Sequence, residues 1–85
     1  MLNKKIVVSD VAKKYENPIG ELVQTACRYS SEIALKYEER RINAKSIMGI
    51  MALSPAEGME MEIVTNGADE KEALDAMAEF LTCAE

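Results

Sequence analysis

The 85-residue sequence predicts a two-layer α+β domain in which four short strands carry three helices on one face. Three observations predict it. Short runs rich in β-formers, in which apolar and polar residues alternate, recur along the chain. Between them apolar residues recur at helical spacing. Asn, Pro, Ser and Gly stand at the changes from one period to the other. The order reads β-α-β-β-α-β-α, and the length suits one domain, residues 1–85, with a modest core.

KKIVVS (4–9) is the first strand, and residues 10–17 are polar and irregular, a loop. Asn17-Pro18 then has the chemistry of a helix start, with Asn at the N-cap and Pro at the first helical position. Ile19, Leu22, Val23, Ala26 and Cys27 give that helix one apolar face through about residue 28. Gly20 lies in its first turn and weakens it. Ile33, Leu35 and Tyr37 alternate with polar neighbours as a half-buried strand, and Ile42 anchors the next. The turn between them falls at 38–40, where Glu38-Glu39 is poor turn chemistry.

A second helix runs from Ser46 to Leu53, with Pro55 as its stop. Met59, Met61 and Ile63 mark the fourth strand, with the methionines read as core. In TNGADEKE, Asp69 can cap the last helix, and Glu72 stands where a capping box needs it. Ala73, Leu74, Met77, Ala78, Phe80 and Leu81 supply the buried face of that helix.

Composition excludes several functions. The formal net charge is -5, which disfavours direct binding of nucleic acid, and one Phe with no Trp is too few aromatics for base stacking. No apolar run approaches a membrane span. Lys4 and Lys5 precede only three apolar residues, so no secretory leader is read and the cytoplasm is expected. With no histidine and two cysteines, no metal site is expected, nor any cofactor. Cys27 and Cys83 fall in predicted helices as buried or half-buried free thiols.

NAKSIMGIM (43–51), VQTA (23–26) and NGADEKEAL (66–74) resemble the histidine-containing phosphocarrier HPr of the bacterial sugar phosphotransferase system. The resemblance runs without gaps from about residue 3 to residue 82. It implies an open-faced β-sandwich with a four-stranded antiparallel sheet. It also places the phosphocarrier motif, of Gly-x-His-Ala-Arg-Pro type, in the loop before the first helix. This chain has KKYENP (13–18) there, which puts Tyr15 at the histidine position and Asn17 at the arginine position. A phosphoimidazole is a high-energy phosphoramidate that can be handed on reversibly, whereas a phenol gives an ordinary phosphate ester. Losing the arginine removes a bidentate cation suited to a phosphoryl group. Histidine phosphotransfer is therefore not expected, and no catalytic residue is assigned.

The resemblance implies a second, regulatory site at Ser46, phosphorylated by an ATP-dependent HPr kinase. The local sequence agrees, because Ser46 precedes a helical apolar run as an N-cap would. Phosphate there would add about -1.5 to -2 charge beside free backbone N–H groups, altering a surface more than a shape. On a helix starting at Ser46, Ile50 and Leu53 face the core while Ile47, Met48 and Met51 lie on the open side. The family uses that patch and the first helix, here at Gly20 and Gln24, to dock partners: the kinase, phosphotransferase-system enzymes and transcription regulators of catabolite control. Methionine side chains suit a surface that meets several partners. A chain without the histidine that keeps the serine resembles the catabolite-repression type of HPr. The expected function is a non-catalytic regulatory module switched at Ser46. A phosphocarrier of the sugar relay and a constitutive interaction domain are the alternatives.

Overall fold

The alternating runs form four strands, and the computed structural model describes them within residues 1–82. They are β1 (Leu2–Val7), β2 (Glu32–Tyr37), β3 (Arg40–Asn43) and β4 (Glu60–Asn66). The helices are α1 (Val11–Lys14), α2 (Pro18–Cys27), α3 (Ile47–Leu53) and α4 (Glu70–Thr82). The strands make one antiparallel sheet in the order β1-β4-β2-β3. Ile33, Leu35, Met61 and Ile63 point from it into a single core with Leu22, Ile50, Met77 and Leu81 of the three longer helices. Half-buried Met59 packs at the margin of that core.

Among the described residues, no helix covers the other face of the sheet. Its outward row runs Lys5, Glu62, Lys36, Arg41 across all the strands. Glu62 is the anion of that row, 3.8 Å from Lys36 Nζ, and it accepts a 2.6 Å hydrogen bond from Asn3. Opposite-sign neighbours across strands favour this register modestly. Ala34 and Val64 face each other on the same side of the sheet and are buried.

Several boundaries differ from the sequence reading. β1 occupies 2–7 rather than 4–9, because its partner β4 ends the ladder at Glu60. Val8 then bonds with the loop before β4, and the Ser9 N–H donates to the Leu81 carbonyl at 2.8 Å. The segment read as loop contains the one-turn helix α1, whose N-cap Asp10 accepts from the Lys13 N–H. Buried Val11 pins that turn, which is too short to show a period. The β2–β3 turn is Glu38-Glu39 alone, with Tyr37 opposite Arg40. Glu38 sits there at φ 56, a region costly for a residue with a Cβ. Cys27 is exposed with a free thiol rather than buried, because it ends α2 beyond its buried face. Cys83 lies outside the described residues.

Asp69 also departs from expectation. Its carbonyl accepts the Ala73 N–H at 2.9 Å and starts α4. Its carboxylate turns away from the helix and accepts from the Ser30 N–H at 3.0 Å, the Ser31 N–H at 2.9 Å and the Ser31 hydroxyl. Beside this clamp Gly67 has φ +155, and a Cβ on it would lie 2.6 Å from the Ser31 Cα. The turn therefore needs glycine for close approach as much as for its dihedral. Lys45 closes the same loop from the other side, donating from Nζ to the Tyr29 carbonyl at 2.7 Å.

Two predictions follow from the clamp. Gly67→Ala is expected to destabilise the fold by about 2–3 kcal/mol in urea unfolding, because backbone rather than a flexible side chain must move. The hydrogen bond from the Ser31 hydroxyl, and then the Ser30 N–H, hold the Asp69 carboxyl down from 3.8 to about 2. A folded-state pKa below the unfolded one stabilises above pH 3.8 and is lost as pH falls toward 2. The melting temperature should fall more steeply between pH 4 and pH 2 for the natural protein than for Asp69→Asn. Parallel curves would remove the clamp from the acid response.

Candidate functional site

α2 and α3 lie side by side and antiparallel. Pro18 and Ile19, at the start of α2, line a shallow apolar groove with Ser54 and Pro55, just after α3. Tyr29, just after α2, meets Lys45, just before α3. Tyr15 and Ser46 therefore stand at opposite ends of the helix pair.

At the first end, α1 delivers Tyr15 into a half-buried position. Its ring stacks on Phe80 of α4, with centroids 4.1 Å apart and planes 6° from parallel. Lys14 Nζ is 5.8 Å from the centre of the tyrosine ring. Tyr15 thus fastens the α1–α2 connection to the last helix and buries aromatic area. No sequence signal gives this pairing, because Phe80 reads only as core and lies far along the chain.

Asn17 ends the connection as the N-cap of α2. Its carbonyl accepts the Glu21 N–H at 2.9 Å and its Oδ1 accepts the Gly20 N–H at 3.2 Å. Gly20 makes this cap possible, since a Cβ there would lie 2.6 Å from Asn17 Nδ2. The glycine that weakens the helix by propensity is thus the one that leaves room for its cap. Gln24 lies one turn beyond Gly20 and is exposed.

At the second end, Ser46 is the N-cap of α3, with φ -98 and ψ 111. Its carbonyl accepts the Ile50 N–H at 3.0 Å, and its Oγ accepts the Gly49 N–H at 3.3 Å. The residue is half-exposed, so its hydroxyl is engaged but within reach of solvent. Ile50 and Leu53 are buried beneath it. Ile47 is 50% exposed, Met48 79% and Met51 56%, an apolar surface beginning at the serine. Isolated exposed apolar residues are ordinary, but three adjoining ones on a two-turn helix form a patch suited to protein contact.

Comparison with known proteins gives the relationship. The family described as the PTS HPr component phosphorylation site matches residues 2–82. The chain belongs to the HPr family. The HPr-like protein Crh of Halalkalibacterium halodurans is 36% identical over 81 residues, covering 95% of this chain and 96% of that protein. The crystal structure of the phosphocarrier HPr from Bacillus anthracis superposes with a TM-score of 0.87 at 36% identity, covering 95% of this chain and 96% of that one. Crh of Bacillus subtilis, in its selenomethionine crystal structure, gives 0.71 at 33% identity over 89% of this chain and 83% of that one. HPr proteins are phosphocarriers or regulators that work by meeting other proteins. This HPr-family chain has that general character, and none of its described helices is long and apolar enough to cross a membrane.

The Tyr15–Phe80 stack predicts a stability cost that tracks the ring. Tyr15→Ala is expected to destabilise the fold by about 2 kcal/mol and Tyr15→Phe by less than about 0.5. A double-mutant cycle with Phe80→Leu should return a coupling of roughly 0.5–1.5 kcal/mol. Zero coupling would make the stack incidental.

Proposed function

We propose that this HPr-family protein is a cytoplasmic, non-catalytic regulator of carbon catabolite control, switched by phosphorylation of Ser46 and acting by docking. The observation that carries the reading is the position of Ser46, half-exposed at the cap of α3 and immediately followed by Ile47 and Met48. The partners are an HPr kinase, which reads the serine and the patch, and a transcription regulator or phosphotransferase-system enzyme that meets the modified surface. Gly20 and Gln24 of α2 extend the contact beside Ile47, Met48 and Met51. Neither nucleic acid nor membrane is a direct partner.

The absence of histidine from the sequence supports the negative half of the proposal. At the position the family gives to histidine stands a phenol held against Phe80. At the arginine position stands Asn17, whose side-chain oxygen is engaged as a helix cap and which brings no cation. A phosphoryl group at this end would meet neither an imidazole acceptor nor a guanidinium to hold it.

Ser46 suits phosphorylation energetically. Phosphate oxygens can still accept from the first N–H groups of α3, and the helix dipole favours the charge by about 0.3–1 kcal/mol when exposed. Incubation with an HPr kinase and ATP should add one phosphate that Ser46→Ala abolishes. Met48→Asp should slow this reaction and weaken regulator binding while the thermal melt is retained, because the residue is 79% exposed. Unfolding by Met48→Asp would defeat the docking argument. Absence of phosphate on a folded, intact chain would favour a constitutive interaction domain in which Ser46 is only a cap.

A second experiment addresses the sugar relay. Phosphoenolpyruvate and the general phosphotransferase enzyme should leave the protein unlabelled. Phosphate transferred to the chain from that donor would overturn the proposal, whichever side chain carried it. Tyr15→His alone should recover little transfer, because Asn17 still brings no cation to the phosphoryl group.

A further inference from the structure

The methionines divide sharply by environment. Met61 is 2% exposed and Met77 is fully buried, whereas Met48 and Met51 are 79% and 56% exposed on the same helix. Met59 is intermediate, half-buried with its sulfur accepting the Ala56 N–H at 3.1 Å. Met1 is also exposed, but its amine pairs with Glu70 at the start of α4. The exposed pair stands three residues apart, one helical turn, within the patch that begins at Ser46.

We propose that Met48 and Met51 form an oxidation site through which a hydroperoxide switches the docking surface off. The inference rests on the docking reading above and gives that surface a second regulator. In the reaction the thioether sulfur attacks the terminal peroxide oxygen. An S–O bond forms and the O–O bond breaks, and the released oxide takes up the proton to leave as water or an alcohol. Sulfur is oxidised and the peroxide reduced by one electron pair. The step needs access to the sulfur, which the fold gives at 48 and 51 and denies at 61 and 77.

The consequence lies in the product. A sulfoxide is a strong dipolar acceptor on a side chain that a partner must desolvate, and an apolar interface leaves it without a donor. The fold itself is insulated, because α3 is anchored by Ile50 and Leu53 and capped by Ser46. Oxidation would therefore remove recognition while leaving the acceptor serine chemically intact. Methionine sulfoxide reductases reverse the modification, so the device resets.

The test treats the folded protein with hydrogen peroxide, maps oxidised peptides, and then measures Ser46 phosphorylation by an HPr kinase with ATP. Sulfoxide is expected at Met48 and Met51 and not at Met61 or Met77, with the circular dichroism melt retained. The phosphorylation rate should fall about tenfold and recover after sulfoxide reductase treatment. The Met48→Leu/Met51→Leu double variant, whatever its own untreated rate, should not slow on peroxide treatment although Met1 is still oxidised. Oxidised protein phosphorylated at the untreated rate would sink the switch, as would equal oxidation of Met61 and Met77 in the folded chain. If the untreated protein takes no phosphate at Ser46, the phosphorylation reading on which this proposal rests falls, and the proposal falls with it. That result is distinct from loss of the oxidation effect alone.

Discussion

The carboxylate of Asp69 joins two places that the chain keeps far apart. It stands at the start of α4, yet its oxygens hold the Ser30 and Ser31 amides just before β2. Gly67 permits the approach by presenting no side chain to the Ser31 backbone. The first rung of the β2–β4 ladder, Glu32 against Asn66, follows directly. The clamp thus sets the end from which the two central strands pair, and those strands carry the inward residues around which the core is built. Ser31 and Thr65, the buried polar side chains of the described residues, are both satisfied here, Thr65 by donating to the Glu70 carbonyl.

Once that corner is fixed, the helix pair acquires its orientation. The loop after α2 is held by Asp69 on one side and by Lys45 on the other, so the approach to α3 is tied to the end of α2. At the far end, Tyr15 against Phe80 ties the approach to α2 to α4. Each end of the candidate surface is therefore positioned by a contact outside it. This is how a domain with few aromatics presents two exposed helices in a defined arrangement.

The fold class and order of the major elements were legible in the sequence because the periods of two and 3.6 alternate clearly there. The α3 reading was legible in detail, since Ser46, Ile50 and Leu53 declare cap and buried face within eight residues. What escaped was tertiary. Asp69 has the local chemistry of a cap, and only the distant Ser30 and Ser31 amides reveal why its carboxylate points elsewhere. Tyr15 looks like a replaced functional residue, and only the fold supplies Phe80 beneath it. Gly20 looks like a weak helical residue until Asn17 folds back over it. α1 is a single turn, shorter than any period can show.

The division of labour within α3 has an evolutionary consequence. Its buried side chains are Ile50 and Leu53 and its ends are held by backbone bonds, while Ile47, Met48 and Met51 are 50%, 79% and 56% exposed. Mutations at Ile47, Met48 and Met51 can therefore be sampled without passing through unfolded intermediates. After a gene duplication, one copy could drift toward a new interlocutor while its core stayed untouched. In the proposed docking role, the short helix would be an address label whose text can be rewritten without rebuilding the envelope.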